Sequence, residues 1–207
     1  TTNDLVGRIP KDELPNLEHI VVVDDEVSDE YIDFNQSFEQ ASDEFDIEWL
    51  DREDGLILHY TSGSTGQPKG VLHVQEAMIV HYISGKYVLD FKEDDVYWCT
   101  ADPGWVTGTS YGIFSPWLNG VTNCIVGGRF SPEGWYDFIQ TYGVTIWYTA
   151  PTALRMLMGA GDDVVSKYDL SSLRHVLSVG EPLNPEVIKW AHNVFNHRVH
   201  DTWWMTE

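Results

Sequence analysis

Short apolar runs alternate with helix-start signals along most of this sequence, between residues 56 and 203. Ser131-Pro132 and Asn184-Pro185 each pair a capping residue with a proline at the first helical position. Several apolar runs are nearly continuous, which is typical of strands buried on both faces of a sheet. The sequence therefore predicts an α/β fold with a largely parallel sheet flanked by helices. The predicted strands are residues 56–60, 95–100, 122–126, 144–150, 173–179 and 198–203. The predicted helices are residues 73–87, 111–118, 132–143, 154–158 and 185–196.

The first quarter of the chain has a different character from the rest. Residues 1–55 contain 18 acidic and 3 basic residues, whereas the remainder contains 15 acidic and 9 basic residues. One buried strand is predicted there, at residues 19–25, and one helix at residues 37–45, with Ser37 as its cap. We interpret residues 1–55 as an acidic lead-in and residues 56–207 as the α/β core.

The composition argues against two classes of partner. A net charge of −21 is unsuited to binding a nucleic-acid backbone, which requires a basic surface. No apolar run approaches the roughly 18 residues that span a bilayer, and no cleavable leader is predicted. Cys99 and Cys124 lie among apolar residues without metal spacing. They are predicted to be buried free thiols in a reducing compartment, so a cytoplasmic location is expected.

Two groups of residues resemble metal sites only superficially. An EF-hand loop that began at Asp25 would place Val27 at a ligand position and Glu30 at the glycine position. The acidic run of residues 24–33 is therefore interpreted as a solvated surface. The other group is a set of histidines on a predicted helix, turn and strand, without a cysteine or carboxylate that completes a metal spacing: His192, His197 and His200.

The stretch YTSGSTGQPKGV, residues 60–71, combines glycines, hydroxyl side chains and one cation, Lys69. Backbone N–H groups in such a turn can form a concave anion site, and a lysine suits phosphate. The P-loop pattern fails because Pro68 stands where the second glycine is needed and Gly70 follows the lysine. The dinucleotide pattern fails because residue 65 is Thr65. A phosphate clamp of another kind and a polar surface turn both remain open.

Four such segments follow predicted strands. In open α/β sheets, ligands bind at the carboxyl ends of the strands. Segments rich in glycine, threonine and acids at this edge therefore predict one shared cavity. The segments are TSGSTGQPKG after 56–60, ADPGWVTG after 95–100, GEPLN after 173–179, and WWMTE after the last strand.

These motifs resemble a known family. TSGSTGQPKG, followed downstream by a strand that ends in aromatic-x-Thr-Glu, is similar to the adenylate-forming enzymes, which include acyl-CoA synthetases, luciferases and peptide synthetase adenylation domains. The acetate–CoA ligases of this family are the most similar, through YWCTADPGWVTGTSYG, YTAPTALRMLM, SVGEPLNPE and DTWWMTE. The resemblance runs from about residue 56 to residue 207, and GRIPKDELPNLEHIVVVD fits the region before it.

The resemblance implies a reaction in two steps. Acetate attacks the α-phosphate of ATP to form acetyl-adenylate and pyrophosphate, and the thiol of coenzyme A then displaces AMP. The resemblance gives the glycine-rich stretch the role of cradling the β- and γ-phosphates, through Thr61, Ser62, Gly63, Ser64, Thr65, Gly66 and Lys69. It gives catalytic roles to Lys69, Thr206 and Glu207, and makes Glu207 a ligand of Mg²⁺ between ATP phosphates.

Further family roles concern the walls around the nucleotide and the acyl group. The resemblance assigns a turn beside the adenine to Gly180, Glu181 and Pro182. It assigns the nucleotide-lining strand end to Asp201, Thr202, Trp203, Trp204, Met205 and Thr206, although Trp203 also fits a plain core aromatic. Many relatives have glycine in place of Trp204, whose indole would leave room for little more than a methyl group. The other walls of this small acyl pocket would be Trp105, Val106, Thr107 and Val179, with Thr107 also near the coenzyme A route.

One departure from the family pattern limits the prediction. The family has a smaller C-terminal domain that carries the catalytic lysine, and no residue up to Glu207 matches it. The chain is therefore expected to be part of the large domain of a longer enzyme and inactive by itself. A synthetase for propionate or another short acid, and a non-catalytic nucleotide-binding module, remain alternatives. Oligomeric state is not predicted.

Overall fold

The computed structural model describes residues 1–62 and 66–207. These residues form two compact units, residues 1–49 and residues 50–207. In the described ranges, no helix is long and apolar enough to cross a membrane. Both thiols are free, as predicted, and Cys99 is buried, but the prediction that Cys124 is also buried is wrong, because its side chain is half-buried.

The first unit contains short elements and little buried surface. It comprises helix α1 (Asn3–Val6), a 3₁₀ turn (Lys11–Glu13), two paired parallel strands, β1 (Val21–Val22) and β2 (Ile32–Asp33), and helix α2 (Phe34–Gln40). The predicted helix start at Ser37 is wrong, because the Asp33 carboxylate accepts a hydrogen bond from the Gln36 N–H at 3.1 Å. A capping carboxylate satisfies a free N–H of the first turn, so the helix begins at Phe34.

The second unit begins with an antiparallel hairpin, β3 (Gly55–Thr61) and β4 (Lys69–Val74), followed by helix α3 (Ala77–Tyr87). Two predictions are wrong here. The strand predicted at 56–60 belongs to this hairpin and not to the parallel sheet, and the helix predicted from His73 begins at Ala77. A short apolar run such as VLHV has no clear period, so it does not distinguish strand from helix.

Five parallel strands form the main sheet, which confirms the predicted α/β class. The strands are β5 (Val96–Cys99), β6 (Thr122–Cys124), β7 (Ile146–Thr149), β8 (His175–Ser178) and β9 (Val199–Asp201). Their order across the sheet is β6-β5-β7-β8-β9. The chain runs outward from β5 to β6 and then returns to the other side of β5, so the strand order reverses between β5 and β7. Ligands of open α/β sheets bind at such a reversal.

Helices cover both faces of this sheet. One continuous helical segment comprises α4 (Val106–Thr109), a π-helical turn (Ser110–Phe114) and α5 (Ser115–Asn119). The other helices are α6 (Pro132–Tyr142), α7 (Pro151–Ala160), α8 (Asp162–Val165) and α9 (Pro185–Phe195). The predicted cap of α6 is confirmed, because the Ser131 hydroxyl accepts from the Gly134 N–H at 2.9 Å. The helices predicted at 111–118 and 154–158 are parts of longer ones.

Successive residues of the central strands pack into opposite layers. In β7, Trp147 belongs to one buried cluster, whereas Ile146 and Tyr148 belong to the other. In β8, Val176 and Leu177 divide in the same way. Since side chains alternate along a strand, both faces of these strands are covered. This arrangement explains why the runs are apolar without alternation.

A buried ion pair joins β5 and β8 at their amino ends. Asp95 precedes β5, and only 4% of its side chain is exposed. The Arg174 Nε donates to Asp95 Oδ1 at 2.7 Å, and the Thr145 hydroxyl donates to the same oxygen at 2.7 Å. Burial raises the pKa of Asp95, but these donors outweigh burial and hold the pKa below its ordinary value. Arg174 also pairs with the more exposed Asp90 at 2.9 Å.

Candidate functional site

Five of the predicted site residues line a cavity of about 450 Å³ at the carboxyl ends of β5, β7 and β8. This cavity lies at the reversal of strand order. Its walls include Trp105 and Thr107 from the predicted acyl pocket, and Val179, Gly180 and Glu181 after β8. Alanine and methionine side chains of α7 and its approach complete an apolar wall. The cavity can therefore hold a narrow, largely apolar group.

A second cavity, of about 350 Å³, lies between the ends of β8 and β9. All of its lining residues except Val179 were predicted to contact the nucleotide, and Val179 was predicted for the acyl pocket. The lining comprises Val179, Gly180, Glu181, Pro182, Asp201, Thr202, Trp203 and Trp204. Residues Val179 to Glu181 line both cavities, so one turn separates two binding spaces. Gly180 adopts a φ of +97°, a conformation that favours glycine.

Side chains of α7 hold this turn in place. The sequence predicted the turn but not these contacts. The Thr152 hydroxyl donates to Glu181 Oε1 at 2.6 Å, and Arg155 Nη2 donates to Glu181 Oε2 at 2.6 Å. The hydrogen bond from Thr152, together with that from Arg155, lowers the pKa of Glu181. YTAPTALRMLM contains both donors, but nothing in the pattern indicates which acid they contact.

The end of β9 is fixed to its neighbours by hydroxyl groups. The Thr202 hydroxyl donates to the Ser178 carbonyl at 2.8 Å and lies 2.7 Å from the Tyr148 hydroxyl. Since Thr202 has one hydroxyl hydrogen, Tyr148 must be the donor in the second bond. Burial raises the pKa of Tyr148, which therefore keeps its proton. Thr202 is thus a structural anchor for the predicted nucleotide segment.

The two adjacent tryptophans have different environments. The interpretation of Trp203 as a core aromatic is wrong, because its side chain is 86% exposed. Trp204 is half-buried and packs edge-on against Tyr111, with ring centroids 5.0 Å apart. The structure brings Trp204 together with Val179 in the smaller cavity, not with Trp105 and Thr107 around the larger one. The role of Trp204 as an acyl-pocket floor therefore stays a prediction.

Other predicted residues lie outside both cavities. Val106 is half-buried at the start of α4, and Met205 is exposed. In the hairpin, Thr61 at the end of β3 pairs with Lys69 at the start of β4. Ser62 and Lys69 are exposed, and Gly66 has a φ of +81°. Gly63, Ser64 and Thr65 lie outside the described residues.

A histidine contact connects this hairpin to the segment after β9. His73 Nε2 lies 2.6 Å from the Thr206 carbonyl oxygen, and a carbonyl only accepts, so Nε2 is the donor. The His59 and His81 rings lie 5.1 and 6.4 Å from the His73 ring. Burial, together with the charges of the other two histidines, lowers the pKa of His81 to about 4. Sequence reasoning missed this cluster because its members come from three separate elements.

The last residue, Glu207, is exposed. Among the described residues, no group of three or more His, Cys, Asp and Glu side chains is placed to hold a metal ion. A Mg²⁺ ion needs fewer protein ligands, because it commonly uses one or two carboxylates together with substrate phosphates and water. A single exposed carboxylate fits that requirement.

The model of the AMP-binding enzyme family matches residues 3–207. With the sheet and site described above, the chain belongs to the AMP-binding enzyme family. The resemblance indicated by the motifs is thereby confirmed.

Individual proteins of this family are similar to the chain over most of its length. The chain is 67% identical over 209 residues to an acetyl-coenzyme A synthetase of Bacillus subtilis, covering 100% of this chain and 36% of that protein. It is 46% identical over 176 residues to an acetyl-coenzyme A synthetase of Deinococcus radiodurans, covering 82% and 27%. The crystal structure of a Brucella canis acyl-CoA synthetase superposes with a TM-score of 0.86 at 32% identity, covering 95% and 37%. The chain thus spans about a third of the length of the curated relatives it matches.

Proposed function

We propose that these residues form the nucleotide- and acyl-binding part of an AMP-forming acetate–CoA ligase. The observation that carries the proposal is the turn Val179–Gly180–Glu181, which lines both cavities. A ligase of this kind must bring a carboxylate to the α-phosphate of ATP and later bring a thiol to the same carbonyl carbon. Two spaces that share one wall suit this sequence of steps. The names of the relatives support acetate as the acid.

In this proposal the smaller cavity receives the nucleotide. Gly180, Glu181 and Pro182 flank the adenine, and the exposed indole of Trp203 offers a flat apolar surface beside it. Thr152 and Arg155 hold the turn through the Glu181 carboxylate. The phosphates extend towards the hairpin, which the His73–Thr206 contact keeps near the end of β9.

The larger cavity receives the acyl group and the thiol arm of coenzyme A. Its apolar wall excludes water from the acyl-adenylate, whose hydrolysis would waste ATP. Trp105, Thr107 and Val179 confine the acyl group there. Val106, at the start of α4, and Trp204, which lines the smaller cavity beside the shared residue Val179, are proposed to close the space around the acyl methyl. In this proposal the indole of Trp204 limits the space around the acyl methyl, and the rest of the larger cavity holds the thiol arm.

Charge develops on the pyrophosphate leaving group during the first step. Lys69 and the hydroxyl and N–H groups of residues 61–66 are proposed to stabilise it, because donors aimed at developing charge act chiefly in the transition state. Mg²⁺ neutralises phosphate charge when bound. Glu207 is proposed to supply its carboxylate ligand, with Thr206 beside the phosphates.

The domain that carries the catalytic lysine in this family is proposed to lie outside residues 1–207. A lysine-bearing domain elsewhere in the complete enzyme would supply the catalytic lysine, in keeping with the share of the relatives that this chain spans. The acidic residues 1–55 would lead into the binding core at 56–207. A cytoplasmic location is proposed from the two free thiols.

The proposal is tested by ATP–pyrophosphate exchange on the complete enzyme, meaning the full translated protein that carries these residues. Acetate, propionate and butyrate are compared, with an acid-free reaction as the control. Exchange that depends on acetate, followed by acetyl-CoA formation when coenzyme A is added, is expected. Preference for propionate would change the substrate, and nucleotide binding without exchange would replace the ligase with a binding module.

A further inference from the structure

Two threonine hydroxyls meet at the reversal of strand order. Thr100 follows β5 and Thr149 ends β7, and their Oγ1 atoms lie 2.6 Å apart. Both residues line the larger cavity. Thr149 is 2% exposed and Thr100 is half-buried. Neither residue was singled out from the sequence, where each is one threonine among many at the end of an apolar run.

One of the two hydroxyl hydrogens of this pair is not used by the bond between them. Each hydroxyl has one hydrogen and can accept as well, so the bond between the two oxygens uses one of two hydrogens. Among the described residues, neither hydroxyl makes another hydrogen bond. A buried donor without an acceptor costs about 1–3 kcal/mol, so such a group is normally satisfied.

The surrounding wall offers the spare hydrogen few acceptors. Ala101, Ala150, Ala153 and Met156 are apolar, and they share the cavity with the pair. The carboxylate of Glu181, which also lines the cavity, accepts hydrogen bonds from α7 and, in the described ranges, none from this pair. The acceptor must therefore come from what enters the cavity.

The strands do not need these hydroxyls to stay joined. The Thr100 N–H donates to the Tyr148 carbonyl at 3.0 Å, and the Val179 N–H donates to the Thr149 carbonyl at 3.2 Å. These backbone bonds already tie the ends of β5, β7 and β8 together. A pair of valines would have nearly the same shape, so the hydroxyl chemistry itself calls for an explanation.

We propose that the Thr100–Thr149 pair donates one hydrogen bond to a carbonyl-type oxygen of the ligand in the larger cavity. This inference rests on the proposed function and adds two specificity-determining residues to it. The acceptor is either a carboxyl oxygen of the acid or an amide carbonyl of the coenzyme A arm, which have the same acceptor chemistry. A cavity with a fixed donor discriminates against ligands that lack an acceptor at that place.

The test uses the complete enzyme and compares the double variant Thr100→Val/Thr149→Val with each single valine variant. Either single variant keeps one hydroxyl hydrogen, so the double variant should lose the most. Acetate-dependent ATP–pyrophosphate exchange reports on the acid, and the KM for coenzyme A in acetyl-CoA synthesis reports on the thiol arm. We expect kcat/KM for one of these substrates to fall about tenfold in the double variant. The double variant Thr100→Ser/Thr149→Ser, which keeps both hydroxyls, should stay within about threefold of wild type.

Each outcome decides the inference. A defect confined to coenzyme A assigns the acceptor to the thiol arm, and a defect in exchange assigns it to the acid. Unchanged kcat/KM for both substrates in the folded double valine variant overturns the inference but leaves the proposed function intact. A wild-type enzyme without exchange overturns both. If the double valine variant does not fold, Thr100→Ala/Thr149→Ala replaces it. Its kcat/KM values for acetate and coenzyme A are then compared with those of the double serine variant.

Discussion

The β3–β4 hairpin and the carboxyl edge of the five-stranded sheet both carry predicted ligand-binding residues, but different forces hold them. The sheet edge ends strands whose side chains are buried on both faces, and its turn is bonded to α7. The hairpin exposes Leu58, Tyr60 and Leu72, and within residues 1–62 and 66–207 each of its strands has a single partner strand. Its described side-chain link to the strand-end segment is the His73–Thr206 hydrogen bond.

This difference suits the two tasks proposed for them. A wall that determines which acid fits must not move, because a methylene of extra space changes specificity. A loop that holds pyrophosphate must release it, and exposed elements with few buried contacts open at low cost. The comparison predicts that changes in the sheet act on stability and specificity, whereas changes in the hairpin act on nucleotide steps.

The largest effect is expected at the amino edge of the sheet. Asp95→Asn removes the buried charge that faces Arg174 and should destabilise the protein by about 3–5 kcal/mol, since the exposed Asp90 is then the remaining charge partner of a partly buried guanidinium in the described ranges. Asp90→Asn is the matched control, because Asp90 contacts the same arginine but is 54% exposed, and its cost should be about 1 kcal/mol or less. Urea unfolding measures both. Equal losses in the free energy of unfolding for the two variants would mean that burial of Asp95 does not strengthen its ion pair with Arg174.

Lys69→Ala should give the next largest effect, and it should be kinetic. The adenylation half-reaction is expected to slow about 10²–10³-fold, with little change in acetate binding, because the charge acts on the leaving phosphates. Lys86→Ala on α3 serves as the control for loss of an exposed lysine. Single-turnover measurement of adenylate formation in wild type and both variants tests this prediction. An unchanged rate would make Lys69 an ordinary surface residue.

Trp204→Gly tests whether the sheet edge sets the acyl length. Longer acids should gain about 0.8 kcal/mol for each buried methylene, and acetate should lose about 1–3 kcal/mol of specificity. Because Trp204 also packs on Tyr111, the melting temperature should fall as well. Trp203→Ala, at the 86% exposed neighbour, should change stability by no more than about 0.5 kcal/mol. Comparison of kcat/KM for acetate and butyrate checks the pocket, and an unaltered ratio in the folded variant would exclude Trp204 from it.

A smaller effect on stability is expected at low pH, from protonation of the cluster formed by His59, His73 and His81. The pKa of His81 is about 4 in the folded protein, below its ordinary value, so the folded state favours the neutral ring. Its stability contribution is complete above about pH 6.5 and is lost as pH falls from there towards 4, because the unfolded chain takes up the proton first. His59, whose pKa is also lowered by burial, acts in the same direction, and His73 faces both rings.

His81→Phe removes this titration and keeps an aromatic ring against Tyr111 and Phe114. Between pH 6.5 and 5, wild type should lose about 1–2 kcal/mol more stability than the variant. Urea unfolding at several pH values measures the difference. Parallel pH profiles would show that His81 is not the titrating group.

The smallest effect is expected at the link between hairpin and sheet. His73→Leu removes the donor to the Thr206 carbonyl and should weaken AMP binding about three- to tenfold, a loss typical of one hydrogen bond. His73→Gln can place an amide N–H near the Nε2 position and should restore most of the affinity. Quenching of tryptophan fluorescence by AMP offers a readout without metal or turnover. Equal affinities in all three proteins would show that the hairpin is positioned by other contacts.

Much of the sheet was predictable from local sequence. Ser131-Pro132 starts a helix because the serine oxygen and the proline ring act within one turn. The strands of the parallel sheet were recognisable because burial on both faces requires apolar residues at every position. The hairpin was not, since VLHV has no period, and the Asp33 cap was missed because Ser37 is an equally good capping residue by type.

By itself, the sequence determined the fold class and the family, and it indicated the residues that line the smaller cavity, because motifs at strand ends are contiguous and their chemistry is local. Only the tertiary structure decided which of these residues share a wall. It placed Trp203 in solvent and Trp204 against Tyr111, although they are neighbours in the chain. It also brought Thr100 to Thr149 and His73 to Thr206, across 49 and 133 residues. Such contacts depend on strand order and on the packing of distant elements, neither of which a local pattern specifies.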